Sequence, residues 1–430
     1  MQKNNSDLKN SLVGFFPLFF NLAETGGAVL IAKEYMKMGG RAIFFSHGGE
    51  YEYLAEEIGC KVIKVKPFYD DEFLDSVWKY IKLETLKNPF SKTLEEFVQE
   101  EIKAYKRTNV DLIVSTNNFP CVISARVENI PLICVTPKVI FNFTKYPDSA
   151  DILLTRLLPE FIKLRLLNII APKIKMWVGP FTKLAKKYNV PVPRYEYDLV
   201  KGDVTLYVNY PDLIRLDNTK ISKNEIFTGP LILDELFKRT IKNIDVEKEE
   251  NEIEKHLRRK GRSILFSFGS SGYKETYLKV LGALNKTDYN VIAVYDNIVK
   301  ENELPEVNEN ILLKKFVPSI MNINKKVDLA ILHGGQGTVF TAAYSGKPVI
   351  GFPMQFEQHL NLEILSRKGT AIIASRKNFK EQTLLKYIRE IFDNYDRYLM
   401  NSKKLAESLP PPDSHVRCAR FIADYIKQKK

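Results

Sequence analysis

Cysteine is scarce: the 430-residue chain has four, Cys60, Cys121, Cys134 and Cys418, and no Cys-x-x-Cys pair or His/Cys cluster at zinc spacing. That excludes a disulfide framework and a structural zinc site, and points to a reduced, cytoplasmic compartment. Long apolar runs are also missing, since none reaches the ~18 residues of a spanning helix. The most apolar early stretch, LVGFFPLFFNLA at 12–23, contains Pro17 and Asn21 and lacks a small-x-small cleavage site. It reads as a first buried strand running into a loop, not as a signal peptide. The chain is therefore expected to be soluble, or to sit on the inner face of a membrane as a peripheral protein. Low-complexity tracts are absent, and 45% hydrophobic residues with both charge signs interspersed describe a folded chain. No nucleic-acid-binding signature occurs, so the net charge of +12 is assigned to a solvated basic surface, to anionic lipid head groups or to anionic small substrates, and not to nucleic acid.

What is present is an alternation of short apolar runs with helical patterns, which predicts βα units and parallel sheets. Strands are expected at 12–16, 42–45, 62–65, 112–114 and 132–135, then at 263–268, 291–295, 311–314, 329–332 and 349–352. The fold class is α/β, two doubly wound Rossmann-like domains facing a central cleft. The turn-rich stretch 210–235, closing on Gly229-Pro230, marks the division. The expected domains are 1–230 and 231–412, followed by a C-terminal helix within 413–430 that packs back toward the first domain.

The segment LHGGQGT, Leu332 to Thr338, joins an apolar strand to an alanine-rich helix, and it holds one of only five histidines. In an open parallel sheet, ligands bind beyond the carboxyl ends of the strands, where His333 stands. Glycines there allow close backbone approach, and the helix N-terminus favours an anion. His333 and Thr338 can add hydrogen bonds to phosphate oxygens. Further on, Glu357 and Gln358 form an adjacent carboxylate and amide suited to sugar hydroxyls.

The whole run HGGQGTVFTAAYSGKPVIGFPMQFEQHLNLEILSRKGTA, 333–371, resembles the donor-binding signature of the GT-B nucleotide-sugar glycosyltransferases, the family of UDP-glycosyltransferases and macrolide glycosyltransferases. ILFSFGSSG at 264–272 and KFVPSIMNIN at 315–324 extend the resemblance. It implies a metal-independent, inverting transfer from a nucleotide-sugar co-substrate, a UDP-sugar first of all, with no separate cofactor. In its terms Phe316 stacks on the base and the Val317 backbone pairs with the base edge. Ser270, His333 and the amides of Gly335, Gln336, Gly337 and Thr338 hold the diphosphate, and Glu357 and Gln358 read the sugar. No Asp-x-Asp metal motif occurs, in keeping with dipoles replacing a divalent ion. One position departs from the family: the ribose-binding glutamate expected eight residues after His333 is Thr341.

On the acceptor side the family's catalytic histidine falls on Glu24, a carboxylate that can serve as general base. The usual aspartate after the 112–114 strand is replaced by Ser115, Thr116, Asn117 and Asn118. Thr116, Asn117 and Trp177 are expected to contact the acceptor. His47, at the end of the second strand, is an acceptor contact or alternative base, whereas His256 and His415 are expected to be surface or capping residues. The stretch 151–188 sets many Lys and Arg against only Asp151 and Glu160 and interleaves them with apolar residues and Trp177. Such segments suit a membrane surface or a lipid acceptor. Two further readings remain open from sequence: a non-catalytic nucleotide-binding scaffold, and a nucleotide-sugar 2-epimerase.

Overall fold

The computed structural model describes residues 6–81, 85, 87–140, 143–150, 158–214, 221–234, 245–269, 272–295, 298–376 and 379–429. The chain divides into two units. The first comprises Met1–Lys138, Pro172–Leu233 and Pro412–Lys430, and the second Val139–Ala171 and Asp234–Pro411.

The first unit is built on seven parallel strands, β1 (Leu12–Pro17), β2 (Arg41–Ser46), β3 (Lys61–Lys64), β4 (Leu112–Thr116), β5 (Leu132–Thr136), β6 (Val204–Tyr207) and β7 (Glu225–Phe227), in the order β3-β2-β1-β4-β5-β6-β7. The second unit has six, β8 (Ser263–Ser267), β9 (Asn290–Val294), β10 (Ile311–Lys314), β11 (Leu329–Leu332), β12 (Val349–Gly351) and β13 (Ala371–Ile373), in the order β10-β9-β8-β11-β12-β13. Both are doubly wound α/β sheets. Every residue of β4, β5, β8, β9 and β11 is buried, which is why these strands read as unbroken apolar runs. Strands β6, β7 and β13 went unanticipated because three or four residues show no useful period.

Six helices carry the rest of the argument: α1 (Leu22–Lys37), α2 (Leu94–Thr108), α3 (Glu160–Ile170), α4 (Gln336–Ser345), α5 (Phe356–Arg367) and α6 (Ser414–Lys429). The Asn21 side chain caps α1 by accepting the Ala23 and Glu24 amides, satisfying two donors the first turn leaves over. Thr25 through Ala32 are all buried, and a helix that is apolar all round must be covered on both sides. The sheet covers one side. The C-terminal α6 packs along α1 and buries Cys418, Ala419, Ile422, Ala423 and Ile426. Arg417 fixes its approach by donating from Nε to the Thr228 carbonyl at 2.7 Å.

The units divide at Leu233 and Asp234, close to the expected 230, but 139–171, placed by sequence in the first domain, groups with the second unit. The physical reason lies in α5 and the chain after β13. Glu363 accepts the Thr144 and Lys145 amides at 2.8 and 2.9 Å, and Phe143 sits against Phe356 and His359. Asp148 accepts the Ser375 hydroxyl and the Arg376 amide. Burial would raise the Glu363 pKa, but nearby His359 and the two amides hold it below the usual carboxylate value. Among the described residues no helix is long and apolar enough to cross a membrane.

Ile422 is fully buried in α6. Ile422→Ala is therefore expected to destabilise the first unit by about 2–5 kcal/mol, read as a lower urea midpoint. A midpoint like that of the wild type would mean that α6 is not part of that core.

Candidate functional site

The strand order in each sheet creates one place where connections diverge. β1 lies between β2 and β4, and β8 between β9 and β11. At the carboxyl ends Pro17 is paired in register with Thr116, and Ser267 with Leu332. The loops leaving β1 and β4 therefore emerge side by side, as do those leaving β8 and β11. Such switch points are where open α/β sheets hold ligands.

In the second unit His333 follows β11 and is 6% exposed. Two glycines make room for its ring: a Cβ on Gly269 would fall 2.8 Å from the imidazole Cε1, and one on Gly335 2.5 Å from Nε2. Gly269 also has φ +55°, a conformation that glycine adopts without strain. Burial pushes the His333 pKa down to about 4, so the ring is neutral at pH 7. Among the described residues its buried Nδ1 has no hydrogen-bond partner. The first turn of α4 starts three residues later, with Gly335 as its N-cap and Gly337 exposed. A helix start of this kind, beside a ring nitrogen without a partner, can accommodate an anion without lysine or metal.

Other residues read as donor contacts are less available. Thr338 donates its hydroxyl to the Gly335 carbonyl at 2.9 Å, and Thr341, 6% exposed, donates to the Thr338 carbonyl at 2.9 Å. Gln358 is buried, and its Oε1 accepts the Met354 amide at 2.8 Å. Glu357 accepts from Asn361 at 2.9 Å, and burial raises its pKa. Phe316 is half-buried after the edge strand β10, and the Val317 side chain lies in the core. Ser270 lies outside the described residues. Asn361, missed as a site residue, joins the Gly334 carbonyl to Glu357 through one amide nitrogen. Its spacing of four from Glu357, one turn of helix, was the available signal.

In the first unit the loops after β1 and β4 bring Glu24 and Asn117 together. Asn117 Nδ2 donates to Glu24 Oε1 at 2.6 Å, and the Thr116 hydroxyl donates to the Glu24 carbonyl at 3.2 Å. Asn117 has φ +61°, a left-handed conformation that asparagine tolerates better than most residues. Its Oδ1 is buried with no partner among the described residues.

Two expectations here are corrected. His47 is not an acceptor contact: its side chain is fully buried, with Nε2 3.1 Å from Glu101 Oε1 and Nδ1 3.0 Å from the Val65 carbonyl. Both ring nitrogens are already engaged, which leaves none for a substrate. Trp177, read as an acceptor contact, is 6% exposed and packs edge-on to Tyr80 and Phe119 in the core. Glu101, on α2, also accepts from Asn118 at 2.9 Å and from Ser124 and Tyr105. It thereby braces the turn that presents Asn117. His256, read as a surface or capping residue, is buried in the last turn of its helix.

The His333 environment has a consequence for stability. Its folded-state pKa of about 4 lies below the ordinary 6.5, so between those values the unfolded chain binds a proton that the folded chain does not. Stability is thus lost as pH falls through 6.5, by about 3 kcal/mol at pH 4 from this group. His333→Gln, which cannot titrate, should lack that part of the pH dependence in urea unfolding. Equal slopes for the two proteins would contradict a buried neutral ring.

Comparison with known proteins bears on the fold and the activity. Residues 263–411 match the Glycosyltransferase family 28 C-terminal domain. A PGL/p-HBAD biosynthesis glycosyltransferase of Mycobacterium tuberculosis is 24% identical over 331 residues, 75% of this chain and 72% of that protein. The UDP-N-acetylglucosamine--N-acetylmuramyl-(pentapeptide) pyrophosphoryl-undecaprenol N-acetylglucosamine transferase of Prochlorococcus marinus is 27% identical over 229 residues, 49% of this chain and 60% of that protein. Among solved structures, the calicheamicin glycosyltransferase CalG4 superposes with a TM-score of 0.67 at 14% identity, covering 98% of this chain and 99% of its own. The glycosyltransferase VinC, solved with dTDP, gives 0.61 at 13% identity over 97% of this chain and 100% of its own. Two doubly wound sheets, a glycine loop at the second switch point, the family 28 match and these relatives agree: the chain is a glycosyltransferase of the GT-B fold.

Proposed function

We propose that the protein moves a sugar from a nucleoside diphosphate to a hydroxyl of a hydrophobic acceptor, with inversion and without a metal ion. The observation that carries the donor half is the neutral His333 ring, packed between Gly269 and Gly335 at the start of α4, whose Nδ1 has no partner among the described residues. The diphosphate lies against the first-turn amides of α4 and takes a hydrogen bond from the ring. Its developing charge as the sugar–oxygen bond breaks is met by dipoles already in place. Glu357 reads sugar hydroxyls, steadied by Asn361. Thr341 lacks the two oxygens with which a carboxylate clamps a ribose, so UDP and dTDP remain comparable donors. The names of relatives bear on both: one carries UDP-N-acetylglucosamine, and VinC was solved with dTDP.

For the acceptor half, Glu24 takes the hydroxyl proton as the acceptor oxygen attacks the anomeric carbon from the face opposite the diphosphate. The bond to the diphosphate breaks with its electron pair, and configuration inverts. Asn117 orients the carboxylate through Oε1. A hydrophobic acceptor agrees with the undecaprenol-linked substrate in the name of the Prochlorococcus relative.

Calorimetry with UDP, dTDP and GDP in EDTA tests the donor site. UDP and dTDP should both bind, His333→Ala should weaken that binding tenfold or more, and Glu24→Gln should bind as the wild type does. In transfer assays Glu24→Gln should lose 10²–10⁴-fold in kcat, the usual contribution of a general base, with KM for the donor little changed. Failure of every diphosphate to bind removes the donor reading. Full activity of Glu24→Gln removes only the base.

A further inference from the structure

Asn117 turns its amide to Glu24 from a left-handed backbone conformation, and such a conformation persists only where the surroundings over-determine it. The next residue supplies that constraint. Asn118 is 1% exposed, and each of its polar groups is engaged. Its backbone amide donates to Ser115 Oγ at 3.2 Å, and the Ser115 hydroxyl donates to its carbonyl at 3.3 Å. Its side-chain Nδ2 donates to Glu101 Oε1 at 2.9 Å, while its Oδ1 accepts the Tyr69 hydroxyl at 3.1 Å. One end of the amide thus meets an acceptor and the other a donor, which leaves it a single orientation. Freeing Asn118 would relax the hold on Asn117 and on the amide that meets Glu24.

Tyr69 is the remote member of this arrangement. It follows β3 and is held at three points: its ring stacks on Phe73 with centroids 5.1 Å apart, stands edge-on to Phe20 at 5.5 Å, and its backbone amide donates to the His47 carbonyl at 2.6 Å. Phenylalanine would fill the same space, so the packing does not call for a hydroxyl. Among the described residues the hydroxyl makes one hydrogen bond, to Asn118. Burial, with Glu101 nearby, holds the phenol well above its usual pKa, so it keeps the proton it donates. The loops leaving β3, β4 and β1 are therefore joined in one line, from Tyr69 to Asn118, through the chain to Asn117, and across to Glu24. We propose that Tyr69 is a positioning residue for Glu24, acting through Asn118 and Asn117. Its catalytic meaning rests on Glu24 as the base, whereas the link itself has a readout that needs neither donor nor acceptor. A hydrogen bond donated to a carboxylate favours the charged form, so a loosened Asn117 shows as a Glu24 that takes its proton at higher pH.

The test uses the full chain carrying 15N-labelled asparagine and follows the side-chain amide signals as pH falls. The Asn117 signals are identified by their loss in Asn117→Ala. They should shift as Glu24 takes a proton and stay still in Glu24→Gln. Tyr69→Phe should raise the midpoint of that shift by about one pH unit, the worth of a hydrogen bond to a charged group. Ser115→Ala frees the Asn118 backbone instead and should move the midpoint the same way, so it decides the matter if Tyr69→Phe does not fold. Phe68→Ala, at the exposed neighbouring position, should leave the midpoint unchanged. The proposal is overturned if the folded variants at 69 and 115 titrate as wild type does, or if Phe68→Ala raises the midpoint equally, which would make any disturbance of the loop sufficient. Asn117 signals that do not follow Glu24 overturn it too. Failure of the base reading is a separate result, full transfer activity of Glu24→Gln, and it removes the catalytic role of Tyr69 whatever the titration shows.

Discussion

Placing the first strand of each sheet in its middle forces successive connections to leave in opposite directions, and all of the candidate chemistry depends on the gap this opens. β1 is flanked by β2 and β4, and β8 by β9 and β11. The sheet hydrogen bonds therefore determine that Glu24 meets Asn117 and that Gly269 meets His333, although each pair is far apart in sequence. The local backbone then adapts to that proximity. Asn117, Gly269 and Gly334 all have positive φ, and each lies where a loop must turn sharply over a strand end. A Cβ on Gly334 would stand 2.6 Å from the Gln358 carbonyl, so the glycine loop is seated directly on α5, the helix that carries Glu357.

Buried carboxylates hold these loops in place. Glu101 accepts from His47, Asn118, Ser124 and Tyr105, and Asn118 adjoins the residue that contacts Glu24. In the second unit Glu363 gathers two backbone amides. A buried charge surrounded by donors is a weak source of net stability but a strong source of geometry. Removing one partner leaves the charge uncompensated and costs about 3–5 kcal/mol, so alternative arrangements of the loop are scarcely populated. Both sites thus rest on polar residues that never need to touch a substrate.

The sequence made this architecture legible where burial is uniform. β4 and β11 are buried at every residue, and their apolar runs, followed by polar or glycine-rich turns, predict strands ending at a ligand face. It was less legible where one partner is remote. His47 occupies a strand end just as His333 does, and the Val65 carbonyl together with Glu101, 54 residues away, turns its ring into the core. Trp177 lies in a basic, amphipathic stretch yet points inward onto Tyr80. The grouping of 139–171 with the second unit was hidden for a similar reason: Glu363 and Asp148 capture backbone amides more than 200 residues away in the chain, and backbone amides carry no sequence signal.

The two departures from the family on the acceptor side make chemical sense together. A histidine base becomes a cation when it takes the acceptor proton, and an anionic aspartate beside it stabilises that cation. A carboxylate base becomes neutral on taking the same proton, so an anionic partner would only repel its starting charge. A neutral amide that donates a hydrogen bond is the suitable partner, since it orients the carboxylate and adds no like charge. Asn117, 2.6 Å from Glu24 Oε1, is such a group. An aspartate in place of Asn117 would put two carboxylates in contact, and a histidine at position 24 alone would leave the new imidazolium without a counter-charge. With Glu24 as the proposed base, the two positions are chemically coupled, and a change to a histidine base calls for a change of its partner as well.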